Sequence, residues 1–357
     1  MSRSLRTLTD DEIRVLVSDN FGLDVQMDQF LSGEIAINAR VTAQDSAYVF
    51  KAEYPSRTMT PEYADWLSTA HQAAYESNVP VARQIPAINP FQATSGKSSG
   101  FVSVAHIDDE PVIVRLQSFL TGTEASTAEL TDDYPSQVGT LAGHVATALA
   151  NVSPDRDMIL HPWAFESTGV NVKFASERLQ TWEASGHVPA DIGPSLTRVL
   201  AFSRHIAHEF ETTVKPLLDD FPQQVLHQDI NDQNVLVSDG KITGLLDFGD
   251  CRVAARMAEV AIASSYVLTI RGGRSGEPPR DVISRVADAY QDATQGTDQH
   301  LTSTELDALE TAAITRLCLG ACTWAARVLT TRPQEPAHAY GQKRLARTWP
   351  VIEQLAQ

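Results

Sequence analysis

The sequence predicts an α+β fold in two lobes, with strands in the N-terminal part of the chain and helices in the C-terminal part. Short alternating or β-branched runs separated by turn residues fill about the first 120 residues. Helical periodicity dominates after that point. Because the strands come first and the helices follow, we expect the two kinds of element to segregate. The length of 357 residues also exceeds the ~250–300 residues at which a single core stops growing.

The N-terminal elements have recognisable boundaries. Thr9-Asp10-Asp11-Glu12 is a capping-box pattern that predicts the start of a first helix, and Gly22 predicts its end. Thr60-Pro61 predicts the start of a second helix, which runs to about Ser77. Strand-like segments lie at residues 29–31, 35–41, 47–52, 101–106 and 111–120.

The C-terminal part is predicted to be mostly helical, with the lobes meeting near residue 120. Its helical patterns cover residues 133–152, 174–184, 194–219, 254–270, 279–294, 303–331 and 338–356.

Composition argues against several kinds of partner. The net charge of −17 argues against a nucleic-acid partner, because phosphate binding needs clustered Lys and Arg. No apolar run approaches the roughly 20 residues of a membrane span, so we expect no membrane partner. The three cysteines, Cys251, Cys318 and Cys322, form no disulfide framework. Cys318 and Cys322 lie four apart in a predicted helix, where a role as small core residues is favoured over a metal pair. With no apolar leader at the start, we expect a cytoplasmic protein.

Residues 225–250 contain most of the chemical information. The pattern His227-x-Asp229 is followed by Asn234, and Asp247-Phe248-Gly249 begins thirteen residues after Asn234. Two short apolar runs, 235–237 and 243–246, flank a turn and predict a hairpin. Each polar residue alone is a common turn former. Together, in this order and spacing, they match the signature set of kinases.

Phosphoryl transfer explains these residue types. Its transition state spreads negative charge over the γ-phosphoryl oxygens, so a protein mainly positions groups and neutralises charge. We expect Asp229 to be the catalytic base that accepts the proton of the substrate hydroxyl. We expect Asn234 and Asp247 to hold Mg²⁺, a hard cation that takes oxygen ligands. His227 is expected to hold the loop.

On these residues the chain resembles the aminoglycoside phosphotransferase and choline kinase superfamily. His227-Gln-Asp-Ile-Asn-Asp-Gln-Asn234, Leu246-Asp-Phe-Gly-Asp250 and Glu259-Val-Ala-Ile262 are most similar to the hydroxylysine kinase group, as is the segment 114–123. The resemblance extends from the first helix to about residue 270. It implies a protein-kinase-like fold, with a nucleotide-binding lobe over residues 1–118 and a helical catalytic and acceptor-binding lobe over residues 119–357.

The resemblance implies that Lys51 contacts the α- and β-phosphates of the nucleotide and pairs with a helix carboxylate. Asp65 is the preferred partner and Glu62 the alternative, since the stretch from Trp66 to Tyr75 contains no acid. First-turn acids also compensate a helix dipole, so both residues have a plain structural interpretation.

The resemblance implies further nucleotide contacts from backbone groups. Ser32 and Gly33 fit the turn that covers the phosphates, where glycine permits close approach. Gln117 and Phe119 fit the hinge that pairs with the base. The donor is expected to be ATP or GTP.

Two expectations concern the C-terminal lobe. His161, Trp163 and Trp324 are candidates for lining the acceptor pocket, although core aromatics are common. Glu259 is expected to anchor the catalytic loop, with Arg252 and Arg256 as its candidate partners.

The expected acceptor is a small hydroxylated, amine-bearing molecule such as a hydroxylysine-like amino alcohol. Aminoglycoside, homoserine, choline and ethanolamine kinases are alternatives of the same class. A protein kinase is disfavoured, because the A-P-E segment and a long activation loop are missing after Gly249. A nucleotide-binding pseudokinase or interaction module is a further alternative. The sequence leaves open the acceptor, the choice of ATP or GTP, the carboxylate paired with Lys51, the oligomeric state and the pathway.

Overall fold

The computed structural model describes residues 8–31, 36–94, 96–154, 163–185, 192–271 and 277–357. These residues group into two compact units. The first unit contains the described residues up to Gly122 together with Thr243–Cys251. The second unit contains Thr123–Pro154, the described residues from 163 to Ile242, and Arg252–Gln357. The predicted α+β class is confirmed, since the large sheet lies in the first unit and most helices in the second.

An antiparallel sheet forms the centre of the first unit. Its five strands are β1 (Gln26–Leu31), β2 (Ile37–Ala43), β3 (Ser46–Glu53), β4 (Val102–Ile107) and β5 (Glu110–Ser118). They lie in the order β1-β2-β3-β5-β4, so β3 is the middle strand. In the ladder between β3 and β5, Lys51 faces Arg115. Glu53, two residues after Lys51, forms an ion pair with Arg115. This pair compensates the positive charge of Arg115, which lies opposite that of Lys51.

Two helices belong to the first unit. Helix α1 (Asp10–Phe21) begins with the predicted capping box, in which Thr9 and Glu12 exchange hydrogen bonds, and ends at Gly22 with φ +71°. Its buried Ile13, Val17 and Phe21 join the core formed by one face of the sheet. Helix α2 (Pro61–Glu76) begins after Thr60, whose hydroxyl accepts the N–H of Tyr63.

The predicted hairpin after the catalytic loop is present as β8 (Val235–Ser238) and β9 (Lys241–Leu245). Asp239 and Gly240 both have positive φ, +50° and +71°, which is the geometry of a type I′ turn. A short strand β6 (Thr123–Glu124) pairs with β8, in the order β6-β8-β9.

A second ribbon was not predicted. Strand β7 (Gln223–Leu226) pairs antiparallel with β10 (Arg252–Ala255), on either side of the catalytic segment. The expected helix start at residue 254 is therefore wrong, and α6 begins at Met257. Small residues such as Ala254 fit either structure, and the partner strand that decides between them is distant in sequence.

The remaining described helices belong to the second unit. They are α3 (Tyr134–Leu149), α4 (Thr168–Ser185), α5 (Leu196–Glu209), α6 (Met257–Arg271), α7 (Pro279–Ala293), α8 (Ser303–Thr330) and α9 (Pro336–Leu355). Helix α5 ends earlier than predicted and continues as short π and 3-10 turns to Leu217, where Pro216 cannot extend an α-helix. Gly139 lets α3 approach α7 closely, because a Cβ there would lie 2.2 Å from the carbonyl oxygen of Val286.

Among the described helices, α8 is long and apolar enough to cross a membrane by length and composition. Of its apolar window, 72% is buried inside the protein. It packs against α4, α6 and α9. This burial accounts for its composition, since a helix that is apolar on most faces is expected in a core.

Candidate active site

The predicted base Asp229 and the predicted metal ligand Asn234 lie together on the loop between β7 and β8. The Asn234 amide donates a hydrogen bond to the Asp229 carboxylate, with 2.7 Å between Nδ2 and Oδ2, and a second to the Asp229 carbonyl at 3.0 Å. Since Nδ2 faces Asp229, the side-chain oxygen Oδ1 of Asn234 points the opposite way. That oxygen is the atom a magnesium ion would use.

Asn231 is a second residue that orients Asp229, and it was not singled out from the sequence. Its Nδ2 donates to the same Asp229 Oδ2 at 2.8 Å. Its Oδ1 accepts the backbone N–H groups of Gln233 and Asn234 at 2.7 and 2.9 Å. One side chain therefore closes the turn and fixes the carboxylate. The only signal in the sequence was its place within the motif.

The start of the loop is anchored by Glu259 from α6, as predicted. The Glu259 carboxylate accepts the backbone N–H of His227 at 2.7 Å and that of Gln228 at 3.2 Å. Burial raises the pKa of Glu259 to about 7, and these two N–H donors oppose the rise. Gln228 has φ +60°, a backbone conformation that residues other than glycine rarely adopt.

The arginines proposed as partners of Glu259 have other partners. Arg256 forms a buried ion pair with Glu305, and Arg252 lies 3.6 Å from Glu166. His227 accepts the backbone N–H of Asp229 at its Nδ1, 3.2 Å away, which fits the predicted role in holding the loop.

Helix α9 anchors the far end of the same loop. The buried carboxylate of Asp232 forms ion pairs with Arg344 and, at 3.4 Å, with Arg347. Tyr340 donates its hydroxyl to the Gln233 side chain. Arg344 is 112 residues from Asp232 in the chain, so no local pattern in the sequence could have shown this contact.

The first unit contains two further predicted site residues, Lys51 and Asp247. Nζ of Lys51 on β3 lies 3.7 Å from Oδ1 of Asp247, which directly follows the hairpin. Asp247 has φ +58°, and its Oδ1 also accepts the N–H of Gly249 at 3.1 Å. A positive φ in a residue other than glycine is strained and is often found at functional positions.

Neighbouring contacts hold Asp247 in place within the first unit. The ring of Phe248 stacks on His71 of α2, with centroids 4.6 Å apart. The N–H of Leu245 donates to the carbonyl of Pro80 at 2.7 Å, and the Tyr63 hydroxyl donates to the carbonyl of Cys251 at 2.8 Å.

The first unit also contains a pocket that includes both Lys51 and Asp247. Its lining residues are Lys51, Leu67, Ser68, His71, Ala82, Gln84, Arg115, Leu116, Gln117, Leu245, Leu246, Asp247 and Phe248.

The expected pairing of Lys51 with Asp65 is absent. Asp65 is buried, and its carboxylate accepts the Ser99 N–H at 2.9 Å, the Ser99 hydroxyl at 2.6 Å and the Ser98 hydroxyl at 3.2 Å. It therefore fixes the polar turn before β4. Among the described acidic residues, Asp247 rather than Asp65 or Glu62 lies within ion-pair distance of Lys51.

The predicted hinge residues, Gln117 and Phe119, lie at the end of β5 and just after it. Gln117 pairs with Val49 of β3 and forms a bridge to Gln84 on its other side. The Phe119 N–H donates to the Ala47 carbonyl at 2.9 Å, so the Phe119 carbonyl is the backbone group that could accept a hydrogen bond from a base. The predicted phosphate turn at Ser32 and Gly33 lies outside the described residues.

Each of the two predicted metal ligands, Asn234 and Asp247, offers an oxygen donor. No group of three or more His, Cys, Asp or Glu side chains that could hold a metal occurs in the described part of the chain. Magnesium characteristically binds one or two protein oxygens and completes its shell with phosphates and water. The Asn234 amide oxygen and the half-exposed Asp247 carboxylate are donors of that kind.

Aromatic and arginine side chains form a cluster in the second unit. Trp163 and Trp324, two of the predicted acceptor-pocket residues, have ring centroids 6.1 Å apart, and Tyr340 lies edge-on to Trp324 at 5.3 Å. Arg316 lies over Trp163 and Arg327 over Trp324, at 5.0 and 4.9 Å from the centroids. His161, the third predicted residue, lies outside the described residues.

Comparison with known proteins identifies the family. A protein-family model described as the phosphotransferase enzyme family matches residues 28–303. Two relatives are hydroxylysine kinases. The one from Xenopus laevis is 26% identical over 209 residues, covering 52% of this chain and 49% of its own length. The one from Mus musculus is 22% identical over 281 residues, covering 73% and 69%. The chain thus spans about half the length of the Xenopus relative.

A solved structure shows the same fold. Amicoumacin kinase, determined in complex with AMP-PNP, Ca²⁺ and Ami, matches with a TM-score of 0.63 at 14% identity. The match covers 98% of this chain and 94% of that one. The protein-kinase-like fold expected from the sequence is thereby confirmed.

Proposed function

The chain belongs to the phosphotransferase enzyme family, and from this premise we propose that it transfers the γ-phosphoryl group of ATP or GTP to a hydroxyl group of a small, amine-bearing acceptor. A hydroxylysine-like amino alcohol is the acceptor we favour. The names of the two hydroxylysine kinase relatives support that choice.

One observation carries the proposal. The Asp229 carboxylate is bound by two side-chain amides, from Asn231 at 2.8 Å and from Asn234 at 2.7 Å, on a loop anchored at both ends. A carboxylate fixed by neutral donors keeps its negative charge and its direction, which is what a base for a hydroxyl proton needs.

The chain that follows Asp247 favours a small acceptor over a peptide. Gly249 is followed by two residues and then by β10, which starts at Arg252. Protein kinases position peptides with a long activation loop at this place. The short connection supports a small-molecule kinase.

We propose the following division of roles. Lys51 positions the α- and β-phosphates, and Asn234 and Asp247 provide oxygen ligands for magnesium. When bound, magnesium neutralises charge on the phosphates. Asp229 accepts the acceptor's hydroxyl proton as that oxygen bonds to the γ-phosphorus. The bond between the γ-phosphorus and the bridging oxygen breaks, giving a phosphorylated acceptor and a nucleoside diphosphate.

A turnover assay tests the proposal. The chain would be incubated with Mg²⁺ and ATP or GTP across 5-hydroxylysine, homoserine, choline, ethanolamine and aminoglycosides. We expect one acceptor to give turnover. Asp229→Asn should lower that turnover by about 10³-fold or more, since a general base contributes about 10²–10⁴-fold. Nucleotide binding should stay nearly intact in the variant. Full activity in Asp229→Asn would show that the base is another residue. Nucleotide binding without turnover on any acceptor would favour the pseudokinase alternative.

We also propose that the protein acts in the cytoplasm. Cys251, Cys318 and Cys322 are buried and form no disulfide with one another. Free buried thiols are usual in a reducing compartment.

A further inference from the structure

Arg316, on α8, is a buried arginine of the second unit that contacts Trp163 and Tyr266. Only 4% of its surface is exposed. It donates to the carbonyl of Trp163 at 2.8 Å, and the Tyr266 hydroxyl accepts another of its hydrogen bonds. Both of these acceptors are neutral. No carboxylate of the described residues forms an ion pair with Arg316.

A buried charge of this kind needs compensation. Burial of an ion without a counter-ion is unfavourable, and neutral acceptors offset this only in part. The other buried arginines of the second unit have carboxylate partners, since Arg256 pairs with Glu305 and Arg344 with Asp232. Arg316 therefore differs from its neighbours in having planar N–H donors but no described anion.

Tyr266 links Arg316 to the reaction site. Burial raises the pKa of the Tyr266 hydroxyl, and the negative charge of Asp229 raises it further, while Arg316 and Arg344 oppose the rise. The contacts agree with this placement, since Arg344 lies 5.7 Å from the Tyr266 centroid and forms an ion pair with Asp232, three residues after Asp229 on the same loop. If a small acceptor binds with its hydroxyl at Asp229, a group a few bonds from that hydroxyl would lie near Arg316.

Arginine side chains already lie over rings of the same cluster. Arg316 covers Trp163 at 5.0 Å, and Arg344 lies 5.7 Å from the centroid of Tyr266. Quaternary ammonium ligands bind open aromatic faces, so these rings offer little to a choline-like group. The positive charge also disfavours a polycation, in contrast with the net charge of −17 for the whole chain.

From these contacts, and on the basis of the proposed function, we propose that the acceptor carries a carboxylate and that Arg316 binds it. The substrate class is then a hydroxylated amino acid rather than a simple amino alcohol, an aminoglycoside or a choline-like amine. Arginine suits the task because its planar fork matches both oxygens of a carboxylate.

Matched acceptor pairs test this inference. Homoserine would be compared with 3-aminopropanol, and 5-hydroxylysine with its decarboxylated form, because each pair differs only in the carboxylate. We expect the wild-type chain to prefer the carboxylated member by about 10- to 100-fold in kcat/KM, the range expected for charge-assisted hydrogen bonds. Arg316→Gln should lose that preference through KM, and Arg316→Lys should restore part of it.

The outcomes separate this inference from the proposed function. Turnover of the decarboxylated members by Arg316→Gln at the wild-type rate would show that the variant is folded. Arg280→Gln, at an exposed ion pair on α7, is the matched loss of an arginine and should leave the preference unchanged. Equal losses of kcat on both members would overturn the inference and would indicate that Arg316 acts on the phosphoryl group. Wild-type turnover confined to decarboxylated acceptors would also overturn it while leaving the kinase function standing. Turnover of choline, ethanolamine or an aminoglycoside but of neither carboxylated acceptor would overturn this inference and leave the kinase function standing.

Discussion

The buried carboxylate of Glu259 accepts the backbone N–H of His227 at 2.7 Å. This bond joins α6 to the start of the loop that contains Asp229. Because burial raises the pKa of Glu259 to about 7, the anchor changes its charge near neutral pH. The position of the loop and the ionisation of one side chain are therefore coupled.

Glu259→Gln should change how stability depends on pH. The folded chain binds the Glu259 proton more tightly than the unfolded chain, whose pKa is near the usual 4.5. The stabilisation that comes from this tighter proton binding is fully present below pH 4.5 and is lost as the pH rises through about 7. The free energy of unfolding of the wild-type chain should thus fall by about 3 kcal/mol relative to that of Glu259→Gln over this range. Urea unfolding across the pH series would measure this, and parallel curves for the two proteins would contradict it.

Asn231→Ala should lower kcat by about 10-fold or more, since the Asp229 carboxylate would lose one of its two amide donors. The free energy of unfolding should also fall by about 1–2 kcal/mol, because the Gln233 and Asn234 N–H groups lose their acceptor. Steady-state kinetics and chemical denaturation would measure the two effects. Asn234→Ala is the comparison variant. It should raise the Mg²⁺ concentration needed for half-maximal activity, whereas Asn231→Ala should leave that concentration unchanged. Equal Mg²⁺ dependence in both variants would argue against Asn234 as a metal ligand.

Lys51→Met and Asp247→Ala should weaken Mg²⁺-dependent nucleotide binding by about 10-fold or more, because each removes a proposed phosphate or metal contact. Their effects on stability should stay below about 1 kcal/mol, since the pair lies 3.7 Å apart and the Asp247 side chain is 55% exposed. Calorimetric titration with and without Mg²⁺ would measure the first effect and thermal unfolding the second. Unchanged nucleotide affinity in Asp247→Ala would remove it from the metal site.

Arg344→Met should destabilise the protein by about 3–5 kcal/mol, because it leaves the buried Asp232 carboxylate with the more distant Arg347 as its partner. The double variant Arg344→Met with Asp232→Asn should recover part of that loss. Denaturant unfolding of the two single variants and the double variant would give the coupling energy. Additive effects would mean that the pair contributes no interaction of its own.

Asp65→Asn tests the role of the polar turn before β4. Its carboxylate accepts hydrogen bonds from Ser98 and Ser99, so we expect a loss of about 1–3 kcal/mol in stability. The KM for the nucleotide should change less than twofold, because Lys51 contacts Asp247 instead. A large rise in KM without a loss of stability would support the original expectation of a nucleotide-binding role for Asp65.

Local sequence patterns determined much of the fold and the identity of the site. The capping box at Thr9 placed α1, the turn at Asp239 and Gly240 placed the hairpin, and the spacing of Asp229, Asn234 and Asp247 indicated a kinase. These features could be predicted because each depends on residues close together in the chain, where backbone geometry and side-chain chemistry act directly.

Tertiary structure alone decided which distant residues support that site. It pairs strand β7 with β10 and forms the ion pair between Asp232 and Arg344. It also forms the hydrogen bonds between Asp65 and Ser99 and between Arg316 and Tyr266. In each case a buried polar group or a strand edge had several chemically acceptable partners in the sequence. Only the packing of helices and strands, driven by the burial of apolar surface, determined which partner came within hydrogen-bond distance.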